Sequence, residues 1–151
     1  MYGWGQTSER VVDHQPLGNW RTWTFVSALR ADGLTAPFLL EGPLTGDAFW
    51  TYVKRVLLPT LRRGDRIVLD NVAPHHDDRI EELLRRRHAK LLYLPPYSPD
   101  LNPIENAYSK LKTSLRRVVA RTFEGLCEAL KTLLDTFPAE ECRHYLAHCG
   151  Y

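Results

Sequence analysis

Cysteine is scarce in this sequence, neither sign of charge dominates it, and it has no long apolar run. Its three cysteines, Cys127, Cys142 and Cys149, are odd in number and confined to the last quarter of 151 residues. That argues against a disulfide framework and for a reducing compartment. Twenty Lys and Arg against 18 Asp and Glu leave a formal charge of +2, too balanced for a polybasic binder. No apolar stretch approaches the roughly 20 residues that span a bilayer. Met1-Tyr2-Gly3-Trp4-Gly5 lacks the basic and then apolar form of a signal peptide. The expectation is a cytoplasmic chain with no membrane partner. Repeats, low-complexity tracts and linker-like stretches are missing, and so is a glycine-rich phosphate loop, so ATP use is not implied. What is present, 44% apolar and 25% charged residues, fits one globular domain.

The pattern predicts a strand over residues 20–31, a turn at Asp32-Gly33 and a returning strand from Ala36 to Leu40, with a weaker strand candidate at 8–14. Helical spacing over 46–63 is interrupted by Pro59 and stopped by Gly64. Ile67-Val68-Leu69 is a short apolar run typical of a strand buried on both faces. A helix over 77–87 has acids first and arginines last, which suits its dipole. Leu91 to Leu94 reads as a second buried strand, stopped by Pro95-Pro96. Helices follow from Asn102 to about residue 119, from Phe123 to Phe137, and over 138–148. Two strand–helix–strand crossings imply an α/β fold with parallel strands in a mixed sheet.

Two acids fall where open α/β sheets place their sites, at carboxyl ends of strands. Asp70 closes the first buried strand; its plain alternative is a turn or capping aspartate. Glu105 follows the second. With Asn102 as N-cap and Pro103 at N1, Glu105 is at N3, a capping box in which Asn replaces Ser or Thr. Capping does not exclude metal binding, because the helix dipole keeps such a carboxylate ionised. The two acids extend into one crevice, and oxygen-only ligands suit Mg²⁺ or Mn²⁺. Two such ions about 4 Å apart can drive phosphodiester cleavage, a site that needs at least three carboxylates. The sequence offers two in place. Cys142, His144, His148 and Cys149 do not share a helix face, which argues against a tetrahedral zinc site.

Asp70-Asn71-Val72-Ala73-Pro74-His75 and Leu94-Pro95-Pro96-Tyr97-Ser98-Pro99-Asp100-Leu101-Asn102-Pro103-Ile104-Glu105-Asn106 together resemble the catalytic core of DDE transposases, in particular the bacterial insertion-sequence branch related to mariner elements. The 34 residues between Asp70 and Glu105 match the spacing of that group. The likeness runs from Gly3-Trp4 through Lys110-Leu111-Lys112 to Gly150-Tyr151. It implies an RNase H-like mixed sheet flanked by helices and Mg²⁺- or Mn²⁺-dependent DNA cleavage. The freed 3′-hydroxyl would then attack target DNA. Asp70 and Glu105 would be the second and third metal-binding acids. Asn71 and His75 match an Asp-Asn-x-x-x-His motif that supports the metal site or DNA; a helix-start role for His75 stands equally open. Lys110, Lys112, Arg116, Arg117 and Arg121 would contact the DNA backbone, or form the solvated face of an amphipathic helix.

The family's first acid lies on the first, central strand, upstream of the segment matching Tyr2-Gly3-Trp4. The expectation is therefore residues 1–151 as the C-terminal part of the catalytic domain, with a helical extension over about 120–151 and the first strand missing. Two strand edges would face a gap, leaving a marginal or aggregation-prone chain. A frameshifted gene, a decayed remnant or a misplaced start would each account for this. Expected partners are transposon-end and target DNA, an upstream transposase fragment or the full-length transposase, and further copies of the chain when active. The rival readings are a non-catalytic remnant that binds DNA or the full transposase, and a stand-alone RNase H-like nuclease.

Overall fold

A computed structural model describes residues 22–118 and 122–151. The strand candidate at 8–14, the start of the 20–31 strand and Arg121 lie outside them. Strand β1 (Trp23–Arg30) pairs antiparallel with β2 (Gly33–Glu41) through the two-residue turn Ala31-Asp32. The register slips between Val26 and Ala28. There Ala36 takes a positive φ of 51°, and Pro37, which has no N–H for a ladder, sits beside it.

Helix α1 (Gly46–Tyr52) starts at Thr45, whose hydroxyl accepts from the Ala48 N–H. It runs into a π-helical turn (Val53–Leu57) and a 3₁₀ turn (Leu58–Thr60) around Pro59. Strand β3 (Arg66–Leu69) pairs in parallel with β4 (Lys90–Tyr93), and α2 (Asp78–Arg86) makes the crossover. Helices α3 (Pro103–Arg117), α4 (Phe123–Leu134) and α5 (Ala139–His148) complete the chain.

The hairpin lies between two apolar cores. Val26, Ala28, Ala36 and Phe38 pack with Phe49, Tyr52, Val53, Ile80 and Leu84. Phe25, Leu29, Leu34 and Leu39 pack with Ala107, Leu111, Leu130, Phe137 and Cys142. Each face of the hairpin is thus apolar because each has a helix layer to cover.

Among the described residues the sheet is divided: β1 pairs with β2, β3 pairs with β4, and no ladder joins the two pairs. Between them lies a cavity of about 840 Å³, lined by Thr24 to Arg30 on one side and Arg66 to Leu69 on the other. Strand β3 is half-buried rather than buried on both faces, because one neighbour position is this space. Tyr52 reaches the cavity with a buried hydroxyl that has no hydrogen-bond partner among the described residues. Burial, and then the neighbouring Tyr108, push its phenol up.

One clasp holds the rim of the cavity. Arg30 donates two hydrogen bonds to Asp65, at 2.8 and 3.1 Å. These bonds, with the Arg62 N–H, hold the Asp65 carboxyl below its ordinary value of 3.8. A depressed carboxyl adds stability above its unfolded value and loses it as pH falls through the folded one. Arg30→Ala should therefore cost about 1–2 kcal/mol at neutral pH, part of the pair being solvent-screened. The corresponding drop in Tm, about 2–8 °C, should shrink as pH falls below the ordinary carboxyl value of 3.8 in a melting series across pH. An equal drop at every pH would count against the clasp.

Candidate functional site

The carboxyl ends of β3 and β4 place the chemistry-bearing residues at one cleft. Asp70 follows β3 directly. The segment Leu94 to Pro99 leaves β4, and Asn102 with Pro103 opens α3, whose first turn presents Glu105. Asp70, Asn71, Asn102 and Glu105 line a single cavity of about 360 Å³. The structure thus brings the two predicted acids together. The Asp70 side chain is 42% exposed, with Oδ1 buried against His75 and the other carboxylate oxygen without a hydrogen-bond partner among the described residues. Glu105 is exposed, and its carboxylate has no hydrogen-bond or ion-pair partner among the described residues. Among the described residues no three His, Cys, Asp or Glu side chains gather as a metal-ion group.

His75 is a support rather than a bystander. Its ring lies 4.2 Å from that of the buried Phe49. Nδ1 lies 2.6 Å from Asp70 Oδ1 and 3.2 Å from the Asp70 carbonyl oxygen. The ring therefore holds both the main chain and one carboxylate oxygen of Asp70. Asn71 is engaged too, its Oδ1 2.5 Å from His76 Nε2. His76 stacks on Tyr93 at 4.5 Å, and the Tyr93 hydroxyl donates to the His75 carbonyl at 3.0 Å. One turn beyond Glu105, Tyr108 accepts a hydrogen bond from the Ser27 N–H at 3.0 Å. Its phenol is pushed up by burial and, in smaller part, by the charges of Glu105 and Asp70.

Sequence reading missed Phe49, His76, Tyr93 and Tyr108 as parts of this site. The one local signal was the aromatic ending β4, opposite Leu69 in the parallel register. Two expectations need correction. Asn102 holds the N-cap position of α3, but its side chain makes no capping hydrogen bond. Prolines around it and a 3₁₀ turn (Pro99–Leu101) set the helix entry instead, so the capping box does not close. Lys110 does not stand with the free cations of α3. Its ammonium donates to the Thr136 carbonyl at 2.8 Å and Glu141 Oε2 at 2.5 Å, and lies 4.5 Å from the Phe137 ring centre. It ties α3 to the turn between α4 and α5. Lys112, Arg116 and Arg117 are exposed and make no ion pair among the described residues.

A family model described as DDE superfamily endonuclease matches residues 1–127. The Tcb2 transposable-element transposase of Caenorhabditis briggsae is 36% identical over 69 residues, covering 46% of this chain and 25% of that protein. The curated relatives matched are each covered over only a quarter to a third of their length. The crystal structure of the catalytic domain of Mos1 mariner transposase superposes with a TM-score of 0.70 at 13% identity, over 85% of this chain and 74% of that one. The Mos1 paired end complex with Mn gives 0.68 at 15%, over 97% and 46%. The shared fold is RNase H-like.

Proposed function

We propose that this chain, which belongs to the DDE superfamily endonuclease family, carries two of the acids of a metal-dependent DNA-cleaving site, Asp70 and Glu105. The observation that carries this reading is their convergence on one cleft. A part-exposed aspartate braced on one oxygen by a histidine, beside a glutamate unpaired among the described residues, is a donor set for a hard divalent cation, Mg²⁺ or Mn²⁺. Such ions, when bound, supply an activated water and neutralise the leaving oxygen of the phosphodiester. The chain's own contribution is positional. His75 locks the Asp70 backbone against the Phe49 core, Asn71 and His76 brace the same loop, and Asn102 with Pro103 aims α3 at the cleft.

The third acid is assigned to a strand from outside the described residues, seated in the cavity between β1 and β3. The segment could be covalently attached or a separate upstream fragment. Its place is supported by the edges of β1 and β3 that face the cavity and by the Tyr52 hydroxyl, all without a partner among the described residues. With it, the domain would cut transposon ends and join them to target DNA as a homo-oligomer. The shortage of a third acid among the described residues favours one rival reading: a non-catalytic remnant that binds DNA or the full transposase. Nicking of transposon-end DNA in Mg²⁺, by the chain alone and with the upstream segment, separates them. Metal-dependent nicking supports the first; none from folded protein in either form supports the remnant.

The basic face of α3 has its own test. Charge removal at Lys112, Arg116 and Arg117 should weaken DNA binding for any sequence and lower the salt slope by about one per lost contact. Lys110→Met should lower Tm and leave that slope alone. Salt titrations in which Lys110→Met behaves like the other three would refute the division.

A further inference from the structure

The loop that closes the acid cleft carries a side chain the molecule itself does not use. Tyr97 stands between Pro95-Pro96 and Pro99 at φ +58°, a conformation that residues other than glycine seldom adopt. Its side chain is 102% exposed, so it adds nothing to either core. Neither ring nor hydroxyl meets a polar or aromatic partner among the described residues. Prolines on both sides restrict the backbone that presents it. Strain of this kind, kept at a site, marks a geometry held for a ligand.

The same loop walls the 360 Å³ cavity that Asp70 and Glu105 line. Val72, Leu94 and Pro96 make its apolar side, Tyr97 stands at its rim with the ring free, and Asn71 and Asn102 bring amides to it. The Asn102 amide caps nothing and so is open at both its donor and acceptor ends. Among the described residues no Lys or Arg lines the cavity, so an anion finds no counter-charge from them. Its volume is at the lower end of small-molecule pockets. A flat, uncharged ligand with hydrogen-bonding edges fits these surroundings, and a duplex does not.

We infer that Tyr97 is a base-stacking contact: the cavity receives one unstacked base of the DNA strand held at Asp70 and Glu105. The Tyr97 ring covers a face of the base, and the Asn102 amide meets its edge. Stacking tolerates any sequence, because every base has an aromatic face. This deepens the proposed DNA-cleaving function and rests on it for the identity of the strand.

The test uses the chain of residues 1–151 in Ca²⁺, with single-stranded and duplex oligonucleotides, one set carrying 5-iodouracil. Tyr97→Ala should weaken single-strand binding about tenfold and leave duplex binding unchanged. Tyr97→Gly, which relaxes the backbone, should lose as much; Tyr97→Phe and Tyr97→Trp should keep wild-type affinity. Ultraviolet irradiation should crosslink the iodouracil to Tyr97, mapped by mass spectrometry, with circular dichroism certifying each fold. Wild-type affinity in Tyr97→Ala, an equal loss on both DNAs, or a crosslink elsewhere would overturn the assignment, as would a wild-type chain that binds neither DNA. A Tyr97 crosslink in a chain that never nicks DNA would keep the stacking contact and remove the cleavage reading. Nicking with no effect of Tyr97→Ala would do the reverse.

Discussion

Asp70→Asn and Glu105→Gln will each abolish metal-dependent nicking, by at least about 10²–10³-fold, the scale of deleting one preorganised electrostatic group. The assay is single-turnover cleavage of end DNA by the chain completed with its upstream segment. Stability should change little. Asp70 Oδ1 lies 2.6 Å from His75 Nδ1, and the isosteric amide of asparagine can keep that contact. Glu105 is exposed and unpaired among the described residues, so its loss removes no side-chain contact. Tm should therefore hold in both variants. Should activity and Tm fall together, the two acids would be structural and the metal reading would fail.

Completing the divided sheet should be worth roughly 10 °C in Tm. A strand in the 840 Å³ cavity would satisfy two edges left open among the described residues, cover the half-buried Ile67 and Leu69, and pack on Tyr52 and Leu57. Two or three inward apolar side chains contribute about 1.5–3 kcal/mol each before the cost of ordering the strand. A net of a few kcal/mol moves a domain of this size by about that much. The measurement is the melting curve of residues 1–151 alone, with the separate segment, and fused to it. A scrambled segment with the same composition should give no shift. If native and scrambled segments shift Tm alike, the cavity is not a strand site.

Much of this fold was legible where a residue's neighbours in sequence decide its state. The runs Ile67-Val68-Leu69 and Leu91 to Leu94 gave both parallel strands, and Pro103 marked the start of α3. Asp70 and Glu105 followed from those strand ends and from a motif-rich loop. What escaped depends on distant partners. Lys110 has the look of a DNA-facing cation until Glu141, 31 residues on, claims it. The bulge opposite Ser27 that lets Pro37 sit inside β2 had no local signal. His76 and Tyr93 meet only because β4 lies parallel to β3. Periodicity showed that β3 is apolar. It could not show that one flank of β3 faces a cavity.

The sandwiched hairpin has a mechanical consequence. Asp70 extends from a strand whose Ile67 and Leu69 belong to one core, while Glu105 rides on a helix anchored in the other through Ala107 and Leu111. The hairpin is the spacer between them, so its thickness and twist set the gauge of the acid pair. A methylene added at Ala28 or Ala36 would be felt as a displaced carboxylate rather than as a local defect. In the opposite direction, any ion that bridges the acids welds the two cores together. Hydrogen exchange in β1 and β2, which touch no ligand, should then slow in step with occupancy of the cleft.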